Sequence, residues 1–239
     1  METLWQDLRY ALRQLARSPG FSLTAVLSLS LGIGATTAVF SVLYAALMNP
    51  YPFVEADRIF RLTVDSKTDG DHWINPNGPQ IFELRKSPVV DSVIVMDDWS
   101  TTLTGKDLPE NVNSIYLSSN GWSFLGVPAL RGRGIVPSDA VDGHDPQPVV
   151  VLSYKFWQSH FNADPGVLGR TLQLDRKDYT IVGVARPRFR WYSADVYLPL
   201  KLTADPVPIY TVDFRLKAGV SREAANAALQ PLLEHSVER

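Results

Sequence analysis

Between Phe21 and Met48 the chain runs 28 residues without one charged side chain. As a helix rising about 1.5 Å per residue, that run reaches roughly 42 Å, beyond the ~30 Å hydrocarbon core of a bilayer. Tilt, or projection past the lipid, absorbs the excess. Ser and Thr are interleaved among Leu, Val, Ala, Ile and Phe. Their hydroxyls can return to a carbonyl of the preceding turn, so lipid tolerates them. The run is about twice the ~7–15 residues of a signal peptide's apolar region, and it starts late. It reads as a retained membrane anchor over 21–48.

Inside it lies GIGATT (32–37), half of a dinucleotide fingerprint. That fingerprint needs a Gly or Ala at its sixth position and a short strand before it. Thr37 holds the sixth position and no bounded strand precedes Gly32, so phosphate binding is excluded, and no P-loop motif occurs elsewhere. The small residues instead repeat every four positions: Ser28 with Gly32, and Ser30 with Gly34 and Ala38. Such spacing lets another transmembrane backbone approach closely, although Gly and Ser are also simply common in membrane helices.

Residues 1–20 precede the anchor. Leu4, Leu8, Leu12 and Leu15 share one helical face with Trp5 beside them, and Arg9, Arg13 and Arg17 form a stripe on another. This predicts an amphipathic helix lying at a membrane surface. Ser18-Pro19-Gly20 breaks it. The nearest arginines favour a cytoplasmic N-terminus, with Arg58, Arg61 and Lys67 weighing against them on the far side.

From 49 to 239 the pattern is mixed. IFRLTV (59–64), VDSVIVM (90–96), STTLTG (100–105), NVNSIYL (111–117), PVVVLS (148–153) and YTVDFRLK (210–217) read as strands. GRTLQLDRKDYTIVGVA (169–185) reads as a hairpin turning around Asp175 to Asp178. Helices are expected at PQIFELRK (79–86), NGWSFLGV (120–127, stopped by Gly126), YKFWQSHF (154–161) and, capped by Ser221, REAANAALQPLLEHS. YKFWQSHF should bring Phe156, Trp157 and Phe161 to the core. Without regular βαβ alternation, the class is α+β.

Little in this stretch carries chemistry. With 23 Lys plus Arg against 25 Asp plus Glu, there is no basic excess for nucleic acid, and no cysteine for disulfides, thiolate metal sites or thiol nucleophiles. His72, His144, His160 and His235 lack paired ligand spacing. Asp139, Asp142 and Asp145 miss the spacing of a calcium loop and read as a solvated turn. Asp97-Asp98, taken as the end of a strand, point to opposite faces. Ser153, His160 and Asp164 make a triad only if folding gathers them, and their simpler roles are helix cap and surface polar residues. RGRG (131–134) reads as a loop. No catalytic residue, cofactor or metal site is expected.

DLRYALRQLARSPGF followed by AVLSLSLGIGATTAVFSV resembles the N-terminus of MacB/FtsX-type ABC transporter permeases, within their orphan-permease branch. The likeness continues in order through NPYPFVEADRIFRL, SSNGWSFLGVPALRGR, VVVLSYKFWQSHFNADPGVLGRTLQLDRKDYTIVGVARPRF and FRLKAGVSREAANAAL. The resemblance implies a MacB-like periplasmic core domain, a porter part with a β-rich sabre part inserted at about 99–205. It implies a cell inner membrane location, single-pass, with the N-terminus cytoplasmic and the rest periplasmic.

It also implies partners: the lipid bilayer, other permease helices, a separate ABC ATPase subunit and periplasmic adaptor proteins. The domain would bind substrate or partner proteins and relay motion during export, doing no chemistry itself. The family continues into three more membrane helices where this sequence ends at Arg239, so a truncated permease is expected. The alternative is a free-standing, membrane-anchored ligand- or peptide-binding module.

Overall fold

A computed structural model describes residues 5–6, 9–10, 13, 17–47, 53–65, 73–105, 108–189 and 191–237. The chain divides into two compact units, 1–50 and 51–239.

In the first unit, helix α1 spans Pro19–Leu47, and its stretch Pro19–Ser41 is long and apolar enough to cross a membrane. Two threonines make the expected back-bonds, Thr24 Oγ1 to the Gly20 carbonyl at 2.9 Å and Thr36 Oγ1 to Gly32 at 2.8 Å. Ahead of α1, Trp5, Arg9, Arg13 and Arg17 are helical and exposed, whereas Leu4, Leu8, Leu12 and Leu15 lie outside the described residues.

The second unit is built on β1 (Ile59–Leu62), β2 (Val64–Asp65), β3 (Trp73–Ile74), β4 (Val90–Thr104), β5 (Glu110–Leu117), β6 (Arg131–Gly132), β7 (Val149–Leu152), β8 (Thr171–Leu174), β9 (Lys177–Val184), β10 (Val196–Pro199) and β11 (Thr211–Leu216). Four helices join them: α2 (Gly78–Lys86), α3 (Gly121–Leu125), α4 (Tyr154–Phe161) and α5 (Arg222–Val237). Strands β2 and β3 form a separate ribbon, and the others one mixed sheet ordered β1-β11-β4-β5-β10-β7-β9-β6. The mixture of elements is the α+β class expected.

Strand β8 pairs with both β9 and the far end of β4. Pairing therefore closes on itself through β4, β5, β10, β7, β9 and β8, a ring of six strands. The near half of β4 pairs instead with β11, in an open sheet ending at β1. This double duty explains why β4 is 15 residues long. VDSVIVM and STTLTG are one strand, and Asp97-Asp98 lie within it, a correction to the reading that ends a strand there. Unbroken pairing with β5, from Met96 to Leu103, outweighs the weak strand propensity of two aspartates.

Three apolar clusters fill the unit. On one face of the open sheet, Ile81 and Leu84 of α2 and Ala225 and Leu229 of α5 pack on Val93, Val95, Val212 and Phe214. Val112, Val150, Leu172, Leu174, Ile181 and Leu198 come from the ring, with Phe156 and Trp157 of α4. On the opposite face, Ile94, Met96, Leu117 and Tyr197 meet Trp122 and Phe124 of α3, with Phe53, Phe189 and Trp191. Tyr116 packs against both of the first two clusters and so marks where they meet.

Local signals explain the element ends. Asn77 and Gln80 exchange capping-box bonds at the start of α2 (3.2 and 2.8 Å). Ser153 Oγ accepts from the Phe156 amide at 3.2 Å, and Ser221 Oγ from Ala224 at 3.2 Å. Gly126 ends α3 at φ +68. Phe156 and Trp157 are buried as expected, while Phe161 is only partly so.

The β8–β9 hairpin turns on two residues, Asp175 (φ 48) and Arg176 (φ 66), and not on the four from Asp175 to Asp178. Neither is glycine, so the left-handed pair needs help. β4 supplies it: Asp175 Oδ1 accepts from the Thr102 amide at 2.8 Å, and the Arg176 amide donates to Thr104 Oγ1 at 3.1 Å.

Candidate functional site

The candidate site is a groove of about 430 Å³ in the second unit, where the open sheet meets the mouth of the ring. Asp97 and Tyr116 sit directly opposite each other on β4 and β5. Trp99 follows from β4, Lys177 and Tyr179 from β9, and Pro199, Leu200 and Lys201 from the end of β10. Pro208 and Tyr210 close the side nearest β11, and Pro146 and Gln147 the side before β7.

Its electrostatics follow from partial burial. Burial is the main reason the Asp97 carboxyl stands above its ordinary value of 3.8. The Trp99 indole opposes that shift, donating from Nε1 to Asp97 Oδ2 at 2.6 Å. Burial likewise pushes the Tyr116 phenol up to about 12, helped by the negative charge that Tyr179 and Asp175 can carry. Lys177 Nζ lies 5.4 Å from the centroid of the Tyr179 ring. Lys201 is engaged with Asp145 at 2.7 Å. The groove thus offers aromatic and prolyl surface, one carboxylate with no cationic partner among the described residues, and the Lys177 ammonium lying against the Tyr179 ring.

A second arrangement pins the first described residues after α1. Phe53 is buried edge-on against Trp191, 4.9 Å between centroids. Arg215 on β11 is 6% exposed and donates to the carbonyls of Val54 and Phe124, each at 2.7 Å, its guanidinium 4.6 Å from the Phe124 ring. Arg58 Nε donates to the Leu216 carbonyl at 3.0 Å. Residues 53–58 are therefore tied to the last strand of the sheet.

The triad members do not converge. Ser153 caps α4, His160 Nε2 meets Glu110 Oε2 at 3.0 Å while its ring stacks on Phe156, and Asp164 bonds the Gly166 amide at 2.8 Å and Arg170. Each has the cap or surface role that was the simpler reading. Asp139, Asp142 and Asp145 pair separately with Arg133, Arg85 and Lys201, and no metal-holding cluster occurs among the described residues. RGRG is partly a strand: Gly132 belongs to β6 at φ +63, and Arg133 Nη2 bonds Asp139 at 2.9 Å. His72 lies outside the described residues.

In the first unit, Ser28, Ser30, Gly32, Gly34 and Ala38 are exposed on α1, and beyond the helix's own adjoining backbone no described atom lies within 4 Å of where a Cβ would stand on Gly32 or Gly34. Nothing in the sequence reading singled out Tyr116, Trp99 or Arg215. The one available signal was their type: a mid-strand arginine among apolar neighbours, and a tryptophan in a run of aspartate, serine and threonine.

Comparison with known proteins agrees with this architecture. The fold matches the periplasmic region of MacB from Actinobacillus actinomycetemcomitans at TM-score 0.56 and 18% identity, covering 74% of this chain and 82% of that one. It also matches the extracellular domain of the noncanonic ABC-type transporter YknZ from Gram-positive bacteria, at TM-score 0.58 and 13% identity, covering 75% and 95%. No curated protein matches the sequence. Residues 22–232 match the MacB-like periplasmic core domain, a span that starts in the apolar helix and ends in α5. The chain belongs to the MacB-like periplasmic core domain family, the periplasmic domain of MacB/FtsX-like ABC transporter permeases.

Proposed function

We propose that this chain is the membrane-anchored, extracytoplasmic part of an ABC permease assembly of the cell inner membrane. Helix α1 anchors it with the N-terminus in the cytoplasm, and the second unit stands in the periplasm. That unit contacts substrates or partner proteins and passes on motion driven by an ATPase, without chemistry of its own. The observation that carries this reading is the family match over 22–232, because it takes in the apolar helix together with the domain. MacB/FtsX-like permeases work in ABC transporter complexes with ATPase partners.

The pinning of Phe53 to Arg58 supports the relay. Any pull on those residues acts on β11 through Arg215 and Arg58 and not on a slack linker. We read the open sheet with α2 and α5 as the porter part, and the ring as the part inserted at about 99–205. The exposed groove favours one second reading, an anchored ligand- or peptide-binding module that works without a transporter.

The two readings separate on purification of the tagged full chain in mild detergent. The permease reading expects a nucleotide-binding subunit and further permease helices to co-purify. A chain that comes out alone, with its ligand binding intact, overturns it in favour of the module.

A further inference from the structure

The groove is placed by the fold but its occupant is not. Trp99 is 62% exposed, an unusual amount of indole to leave in water beside a half-buried carboxylate. Its Nε1 is committed to Asp97, so what it offers a ligand is ring surface. Tyr116 and Tyr179 line the groove with it and add further ring surface. Rings and prolines lose little rotamer freedom when a ligand packs on them, so the walls are already organised.

Two further features narrow the ligand. A chain in the polyproline II conformation has no internal hydrogen bonds and an apolar, ridged surface, which is what slots between aromatic rings accept. Finally, the described residues include no lysine or arginine paired with Asp97, while Lys201 is already held by Asp145. A cation delivered beside Asp97 offsets part of what burial costs that carboxylate. The volume of about 430 Å³ falls in the ordinary range for a ligand site.

We propose that this groove binds an extended, proline-rich peptide segment that sets a basic side chain against Asp97 and lays its prolines on Trp99, Tyr116 and Tyr179. The proposal deepens the preceding reading and rests on it for the partner being a protein. The occupant is the exposed segment of a partner polypeptide, recognised by shape and one charge.

The test uses the full chain in detergent micelles and fluorescence anisotropy of a labelled Ala-Pro-Pro repeat of about ten residues with one central Arg. A second probe carries Glu in place of that Arg, and chitotetraose serves as an unlabelled competitor. Saturable binding of the Arg peptide is expected, with the Glu peptide at least about tenfold weaker. Trp99→Ala should weaken the Arg peptide about tenfold or more. Asp97→Asn should shrink the Arg-over-Glu preference to less than about twofold, leaving the circular dichroism spectrum unchanged.

No saturable binding, binding indifferent to Trp99→Ala, or displacement by chitotetraose that shows a glycan site overturns the proposal. A chain that fails to bind peptide yet still co-purifies with an ATPase loses the peptide and keeps the permease reading. A chain that binds peptide and purifies alone does the reverse.

Discussion

Arg215 reaches the carbonyl of Val54 at 2.7 Å across 161 residues of sequence. With Phe124 O as its second acceptor, this one buried guanidinium ties the start of the second unit to its last strand and to α3. An arginine is suited to the task, since its planar head serves two carbonyls while still covering an aromatic ring.

Replacing it should be costly. In Arg215→Met the apolar volume is roughly kept, but two carbonyls lose their donor, at about 1–3 kcal/mol each when buried. We expect a loss of about 2–4 kcal/mol, read by urea unfolding of the full chain from its tryptophan fluorescence. Arg58→Ala, at a more exposed site, should cost about 1 kcal/mol. A variant at position 215 as stable as the parent would contradict the clamp.

Asp213 gives a pH dependence of definite sign. Burial raises its pKa above 3.8, and the Arg61 guanidinium, at 2.9 Å, offsets only part of that. The native state therefore keeps this proton to a higher pH than the unfolded chain does. Its contribution to stability is present at low pH and falls as pH rises through the window above 3.8. Asp213→Asn removes that fall, so the variant should gain on the parent in stability from about pH 4 upward. A variant that loses ground as pH rises would show that the Arg61 pair outweighs burial.

The small-residue face of α1 is proposed as a contact for other membrane helices. Gly34 leaves open space where a Cβ would stand. Gly34→Leu should fill that space and weaken association by about 1–2 kcal/mol, roughly a tenfold shift in a cross-linking titration within membranes. Unchanged cross-linking to permease helices would remove Gly34 from the contact.

Much of the fold was legible because its signals are local. Ser153, Gly126 and Ser221 mark ends that the structure keeps, and the charge-free run is unmistakable. What escaped the reading is set by distant contacts. Val196 to Pro199 form a strand of four buried residues, too short to show any alternation. β4 is continuous because β5 pairs it from Met96 to Leu103, joining the half held by β11 to the end held by β8. Asp175 and Arg176 turn without glycine because Thr102 and Thr104, over seventy residues earlier, hold them. The groove was invisible for the same reason. Asp97, Tyr116 and Tyr179 have no common spacing, and only ring closure through β8 brings them to one mouth.

The central claim is that α1 crosses the membrane and places the second unit outside the cytoplasm. Because the sequence has no cysteine, a single introduced thiol reports its own side without ambiguity. Lys217→Cys stands exposed in the second unit and Gln6→Cys exposed ahead of α1. In intact spheroplasts a membrane-impermeant maleimide should label Lys217→Cys fully and Gln6→Cys only after lysis. Labelling of Lys217→Cys only after lysis would contradict the account.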